Sequence, residues 1–250
     1  MNVVLGIFLL ILMLVVGGRR GGKSFLSLCF NYGLLILAFV MMAWGVHPIL
    51  VALLVCALIS YLVLYYVNGK TVKTRAAMYS VFLVLIVLAV LIYGITMLSR
   101  SGGFGEESFE EINMFSYYIF LDMNLIAVAL VLIGLIGATI DTAIAVTSAM
   151  YEVYQNNLHL TQKELFHSGI TVGKDILGTT TNTLLFAYLG EFMTLVIWFK
   201  QLSYSLADVA NAKVFVAEFI KIMCSGLGCI LIIPIASWIM SILLKRENLH

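Results

Sequence analysis

NLIAVALVLIGLIGATIDTAIAVTSAMYEVYQNN, from Asn124 to Asn157, is an apolar run long enough to cross a lipid bilayer and continue past it. A spanning helix needs about 20 apolar residues. One acid, Asp141, lies in the middle of this run. A carboxyl group at membrane depth is costly unless it faces protein or a hydrated path, so intramembrane acids are usually functional. The stretch therefore predicts a transmembrane helix that carries a functional carboxyl group.

The composition extends this interpretation to the whole chain. Of the 250 residues, 62% are hydrophobic and 11% are charged, whereas soluble domains have about 25% charged residues. We predict an all-α, polytopic membrane bundle that forms one transmembrane domain over residues 1–250. The chain has no dense basic face for binding nucleic acid. Hydropathy predicts about seven transmembrane helices, near residues 2–17, 25–45, 47–67, 77–98, 118–151, 176–198 and 216–244.

The basic residues predict the orientation, because cytoplasmic loops are enriched in Lys and Arg. Four connections or ends hold most of them: Arg19, Arg20 and Lys23; Lys70, Lys73 and Arg75; Lys163 and Lys174; Lys245 and Arg246. The other side keeps Arg100, Lys200, Lys213 and Lys221, and an acidic loop at residues 99–117 that contains Glu106, Glu107, Glu110 and Glu111. This distribution predicts that the N-terminus lies outside and the C-terminus in the cytoplasm.

Residues 1–24 are predicted to form a retained anchor helix followed by a turn rich in glycine and basic residues. Gly17–Ser24 reads GGRRGGKS, which has the spacing of a phosphate-binding loop. Such a loop needs a strand before it and a helix start after it, and no strand pattern precedes this one. We expect no nucleotide, cofactor or metal site, and no enzyme, because no credible nucleophile and base or ligand cluster is present.

Residues 25–98 are predicted to hold helices two to four, and residues 118–250 helices five to seven. On the fifth helix, polar or small residues spaced three or four apart share one face, which comprises Asp141, Ala145, Ser148 and Glu152. Gly134, Gly137 and Ala138 follow the small-residue pattern that lets another helix approach closely. We therefore expect Asp141 to lie against protein.

The sixth helix carries a second polar face. Its sequence VGKDILGTTTNTLLFAYLGE, from Val172 to Glu191, places Asp175, Thr179 and Asn182 on one side. Because helices five and six are antiparallel neighbours, the two polar faces should overlap in depth, Asp141 lying about 16 Å from Glu152 and Asn182 about 10 Å from Asp175. A carboxylate that faces hydroxyl and amide oxygens in a narrow hydrated gap is suited to a proton relay or a cation site.

A simpler interpretation of the same residues stays open. Serine, threonine and asparagine in membrane helices often do no more than hydrogen-bond neighbouring helices. Asp175 with Lys174 would then mark the lipid headgroup boundary, Glu152 would be cytoplasmic, and Glu191 would be an exposed rim residue. On this alternative the chain is an assembly or scaffold subunit that moves nothing.

Two runs of sequence resemble a known family. GLIGATIDTAIAVTSAMYEV, from Gly134, and LTQKELFHSGITVGKDILGTTTNTLLFAYLGE, from Leu160, are similar to the YibE/F family of bacterial integral membrane proteins. The resemblance implies a multi-pass protein of the bacterial cell membrane. Members commonly come as a longer and a shorter protein, and this chain resembles the shorter, YibF-type member. A second YibE/F-type subunit is therefore implied as a partner.

The chain also resembles, more weakly, the transmembrane bundle of the resistance-nodulation-division superfamily, which includes the SecD/SecF translocation factors. There too a helix of the form G-x-x-x-D ends in an acidic turn and leads into a threonine-rich helix. Only Asp141 matches the proton-coupling acid of that group. The resemblance implies a subunit of an ion- or proton-coupled transporter or export factor, with an unidentified small-molecule or ion substrate.

Overall fold

The computed structural model describes residues 2–99 and 122–247, and every regular element in them is helical. In chain order these are α1 (Asn2–Ala43), α2 (Pro48–Tyr61) with a π-helical turn (Leu62–Val67), α3 (Val72–Ser99), α4 (Met123–Asn156), α5 (Gln162–Gln201), α6 (Leu206–Asn211) and α7 (Lys213–Glu247). The predicted all-α class is confirmed. Residues 100–117 of the predicted acidic loop lie outside the described residues.

In the described residues, six helices are long and apolar enough to cross a membrane. The first of them, Val4–Ala43, has 40 residues, and a helix of that length would be about 60 Å long, twice the thickness of the hydrocarbon core. It takes in most of the first two predicted spans, 2–17 and 25–45. The numbers six and seven therefore differ because α1 is one helix in the structure and two spans in the prediction.

A break at Gly18 separates the two parts of α1. Gly18 has φ 52° and ψ −133°, a left-handed conformation that glycine adopts readily. A Cβ added at Gly21 would overlap the carbonyl group of Met13, although residues eight apart in an unbroken helix are about 12 Å apart along the axis. The chain therefore bends sharply at Gly18. Helix flanks the Gly17–Ser24 pattern on both sides, which is not the strand-to-helix context of a phosphate-binding loop.

The core forms around α4, which contacts α2, α3, α5 and α7. Leu132, Leu135 and Ile140 are among its fully buried side chains. α7 runs parallel to α4, since Gly228 lies against Thr139 and Leu135, and Thr142 Oγ1 donates to Cys229 Sγ at 3.8 Å further along both helices. This pairing sets the depth of every residue on α7 relative to α4.

α5 is antiparallel to α4 and α7, and two glycines bring it close to both. A Cβ added at Gly169 would overlap Met150 and Ser237, and one added at Gly173 would overlap Ile233. Glycines four residues apart present a flat surface on one side of a membrane helix and let a neighbouring backbone approach. Gly169 and Gly173 therefore fix both the position of α5 and the side of it that faces the bundle.

Candidate functional site

Asp141 lies near the middle of α4, on the side that this chain leaves exposed. No hydrogen bond or ion pair joins its carboxyl group to any residue in the described ranges. The buried side of the helix is formed instead by its neighbours Ile140, Thr142 and Ala143. The expected contact between Asp141 and protein is thus not made by residues 2–99 or 122–247.

The face of α4 that carries Asp141 is small or polar along most of its length. Gly134, Gly137 and Glu152 are exposed, and Ser148 is half-buried. A Cβ added at Gly137 would meet nothing within 4 Å, whereas one added at Gly134 would lie 3.7 Å from the Cε atom of Lys221. We call the face formed by Gly134, Gly137, Asp141, Ser148 and Glu152 the Asp141 face. It includes Asp141, Ser148 and Glu152 of the polar side predicted from the sequence, and it is largely open; Ala145, the fourth residue of that prediction, is half-buried.

The polar residues predicted on the sixth span lie on the exposed side of α5. Asp175, Thr179 and Asn182 are all exposed. Thr179 Oγ1 donates to the carbonyl oxygen of Ile176 at 2.9 Å, so this hydroxyl bonds within its own helix. The half-buried side carries Thr180 instead. Glu191 belongs to α5, but its side chain lies outside the described residues.

The orientation of α5 follows from its glycines. Gly169 and Gly173 face the bundle, and helical periodicity carries that side on through Leu177, Thr180 and Leu184, which are half-buried. Asp175, Thr179 and Asn182 share a side, as predicted, but that side points away from the bundle. The sequence pattern showed which residues share a face of α5, but not whether that face points towards the bundle or away from it.

Asp141 and the threonine-rich run nevertheless lie at the same depth. Gly169 of α5 is level with Met150 of α4, and the two helices are antiparallel. Asp141 lies nine residues before Met150 on α4, and Gly178 lies nine residues after Gly169 on α5. Both distances are about 13 Å along the helix axis, so Asp141 and Gly178 are level. In the ranges that the structure describes, no hydrogen bond links Asp141 to α5.

A second polar cluster, for which the sequence predicted no role, joins α5 to α7. Lys221 Nζ lies 3.3 Å from Glu218 Oε2 and 5.3 Å from the centre of the Tyr188 ring. The Tyr188 and Ser225 hydroxyl groups are hydrogen-bonded at 2.8 Å, and both residues are buried. We call Tyr188, Glu218, Lys221 and Ser225 the Tyr188 cluster. One feature of the sequence could have indicated this cluster. Lys221, Ser225 and Cys229 are each four residues apart, so they share one side of a helix.

The cysteines and acids form no metal centre in the described ranges. Groups of three or more His, Cys, Asp or Glu side chains that could hold a metal ion are absent there. Cys56 Sγ donates to the carbonyl oxygen of Leu132 at 3.6 Å, and Cys229 accepts from Thr142. These thiols act as small packing groups between helices.

Comparison with known proteins places the chain in a family. The model of the YibE/F-like protein family matches residues 5–246. No curated protein matches the chain, and no solved structure does. The matched range includes the Asp141 face, the threonine-rich run of α5 and the Tyr188 cluster. Because the match covers nearly the whole sequence, the chain belongs to the YibE/F-like protein family.

Proposed function

We propose that this chain is a subunit of an ion- or proton-coupled transporter or export factor in the bacterial plasma membrane. Asp141 is the coupling carboxylate. The observation that carries the proposal is the position of Asp141, at the middle of the central helix and on a face that the described part of the chain leaves open. A carboxylate that lies between protein surfaces and within reach of water changes its charge when a cation or proton binds.

The proposal includes a second subunit that covers the Asp141 face. An acidic residue at the centre of a lipid-facing helix costs at least about 2.5 kcal/mol on insertion scales. Gly134 and Gly137 offer a flat surface beside Asp141 for a second helix. The partner is a second YibE/F-type protein or another copy of this chain.

The exposed polar faces also favour a second candidate function, that of a scaffold subunit. Hydroxyl and amide groups between membrane helices contribute up to about 1–2 kcal/mol each, and several of them would stabilise a complex without any transport. On this candidate function, Asp141 and Asn182 serve only to bind a partner. The two functions differ in what each residue does once the complex has assembled.

Proton flux in reconstituted vesicles tests the transport proposal. The complex is purified from membranes with its partner, placed in proteoliposomes that contain a pH-sensitive dye, and energised by a potassium diffusion potential. Asp141→Asn should lower the proton flux by about 100-fold or more, as expected when an essential proton-transfer group is lost, with the complex intact. Glu152→Gln is the matched control, because Glu152 is also exposed but lies near the end of α4.

The outcomes separate the two candidate functions. Unchanged proton flux in Asp141→Asn would overturn the transport proposal. Asn182→Leu gives a second comparison, measured by copurification of the partner. A scaffold should lose its partner after this substitution, whereas a residue of the transport path should lose flux while the partner remains bound.

A further inference from the structure

The Lys and Arg residues of the first three helices all lie at one end of the bundle. Residues 1–99 contain no Asp or Glu. Their six basic residues are at the end that the positive-inside rule identifies as cytoplasmic, and they are Arg19, Arg20, Lys23, Lys70, Lys73 and Arg75. No ion pair joins any of them to an acidic side chain in the described ranges. This end of α1, α2 and α3 therefore carries a strong positive charge.

The corresponding end of α4, α5 and α7 has no such excess of charge. Its four basic residues are Lys163, Lys174, Lys245 and Arg246, and its four acidic residues are Glu152, Glu164, Asp175 and Glu247. Orientation in the membrane depends on the number of Lys and Arg residues and little on Asp and Glu, so it does not explain why one half lacks acids. A bound anion beside α1 does explain it.

Lys23 and Lys70 come to the same level at the membrane surface. α1 contacts α2 and also the π-helical turn at the far end of α2, so α1, beyond its bend, runs antiparallel to α2. Lys23 lies 20 residues before Ala43, where α1 ends, and Asn68 lies 20 residues after Pro48, where α2 begins. Both distances are about 30 Å, which is the thickness of the hydrocarbon core. Lys23 and Lys70 are therefore at the depth of the lipid headgroups.

The surroundings of these lysines suit a lipid better than a soluble anion. Lys70 Nζ lies 6.0 Å from the centre of the Tyr65 ring, and tyrosines are typical of the level where headgroups meet the hydrocarbon core. On α1, Leu26 and Phe30 follow Lys23 towards the membrane interior and are exposed, so acyl chains can cover them. Basic pockets between transmembrane helices on the cytoplasmic side bind lipid headgroups in this way.

We propose that α1 and the π-helical turn bind the phosphate group of an anionic phospholipid from the cytoplasmic leaflet. Lys23 and Lys70 contact the phosphate oxygens, and Arg19 and Arg20 add positive charge beside them. Each lysine acts as a point charge for phosphate. The lipid thereby joins α1 to the segment that leads into α3. This site is separate from the Asp141 face and does not rest on the proposed function.

Native mass spectrometry of the assembled protein in detergent tests the site. Phosphatidylglycerol is the probe, and phosphatidylcholine, which has no net charge, is the comparison and should bind more weakly. Lys23→Gln combined with Lys70→Gln should weaken phosphatidylglycerol binding about 30-fold, which corresponds to about 2 kcal/mol for two charges at the membrane surface. Lys23→Arg combined with Lys70→Arg keeps both charges and should retain the binding.

The matched control is Lys245→Gln combined with Arg246→Gln, which removes two charges from the same side of the membrane at the end of α7. Phosphatidylglycerol should bind this control as tightly as the unchanged protein. Equal weakening in the two glutamine variants would overturn the site, because net charge alone would then attract the lipid. Unchanged binding after loss of Lys23 and Lys70 would overturn it too. Displacement of the lipid by inorganic phosphate would assign the site to a soluble anion instead.

Discussion

At the residue scale, the main finding is the contrast between two acids on one side of α4. Asp141 and Glu152 are both exposed, but they are 11 residues, or about 16 Å, apart along the axis. Glu152 lies in the last turns of α4, which the sequence predicts to extend past the bilayer into water. Asp141 lies where only protein or a local path can supply water. Both residues are acids, so in the proposed function their depth along α4 is what distinguishes them.

This contrast predicts different reactivity with an apolar carbodiimide, which partitions into the bilayer and reacts with protonated carboxyl groups. Asp141 in the assembled complex should be modified, and modification should fall as the pH rises because the reactive acid form is lost. Glu152 should react little. Mass spectrometry of peptides from treated membranes measures both sites. Equal modification of the two acids at every pH would contradict the assignment of Asp141 to a distinct environment.

At the element scale, α5 shows what the sequence could predict and what it could not. The helix, its threonine-rich run and its depth relative to Asp141 follow from composition, spacing and the short connection to α4. The side that faces the bundle does not, because it is set by the contact of Gly173 with Ile233, which joins residues distant in sequence. The Tyr188 cluster was missed for the same reason, since its parts lie on two helices.

The same contact predicts opposite effects for two glycine substitutions on α5. Gly173→Ala places a methyl group where Ile233 already lies, and such overpacking costs about 1–3 kcal/mol. Gly178→Ala meets open space and should be neutral or stabilise the helix by up to about 1 kcal/mol. Thermal unfolding of the two variants in detergent compares them. Equal stability would contradict the packing of α5 on α7.

At the scale of the whole molecule, the described helices form a bundle around α4 but leave the Asp141 face open. The sequence predicted the membrane class and nearly all of the helices, because long apolar runs define them. The sequence predicted seven spans, whereas the structure has six long apolar helices. The difference arises in α1, which counts as one helix although the backbone at Gly18 is not helical. The sequence of one chain could not show which molecule covers the Asp141 face.

A bulky residue on the open face should disrupt assembly without unfolding the chain. Gly137→Leu fills a position where a Cβ meets nothing within 4 Å of this chain but where a partner helix is expected. Gly33→Leu is the matched control, because Gly33 is also exposed and unobstructed and lies on α1. Native mass spectrometry should show a smaller assembly for Gly137→Leu only. An unchanged assembly would place the partner elsewhere.

If Asp141 is the coupling carboxylate, water must reach position 141 in the assembled protein, and thiol labelling can measure this directly. Asp141→Cys, in a background without the four native cysteines, is treated in membranes with a water-soluble, charged thiol reagent added to both sides. Val90→Cys is the comparison, because Val90 lies within α3 and is 71% exposed on the bundle surface. We expect labelling at position 141 and none at position 90. A cysteine at position 141 that is as unreactive as the one at position 90 would contradict it.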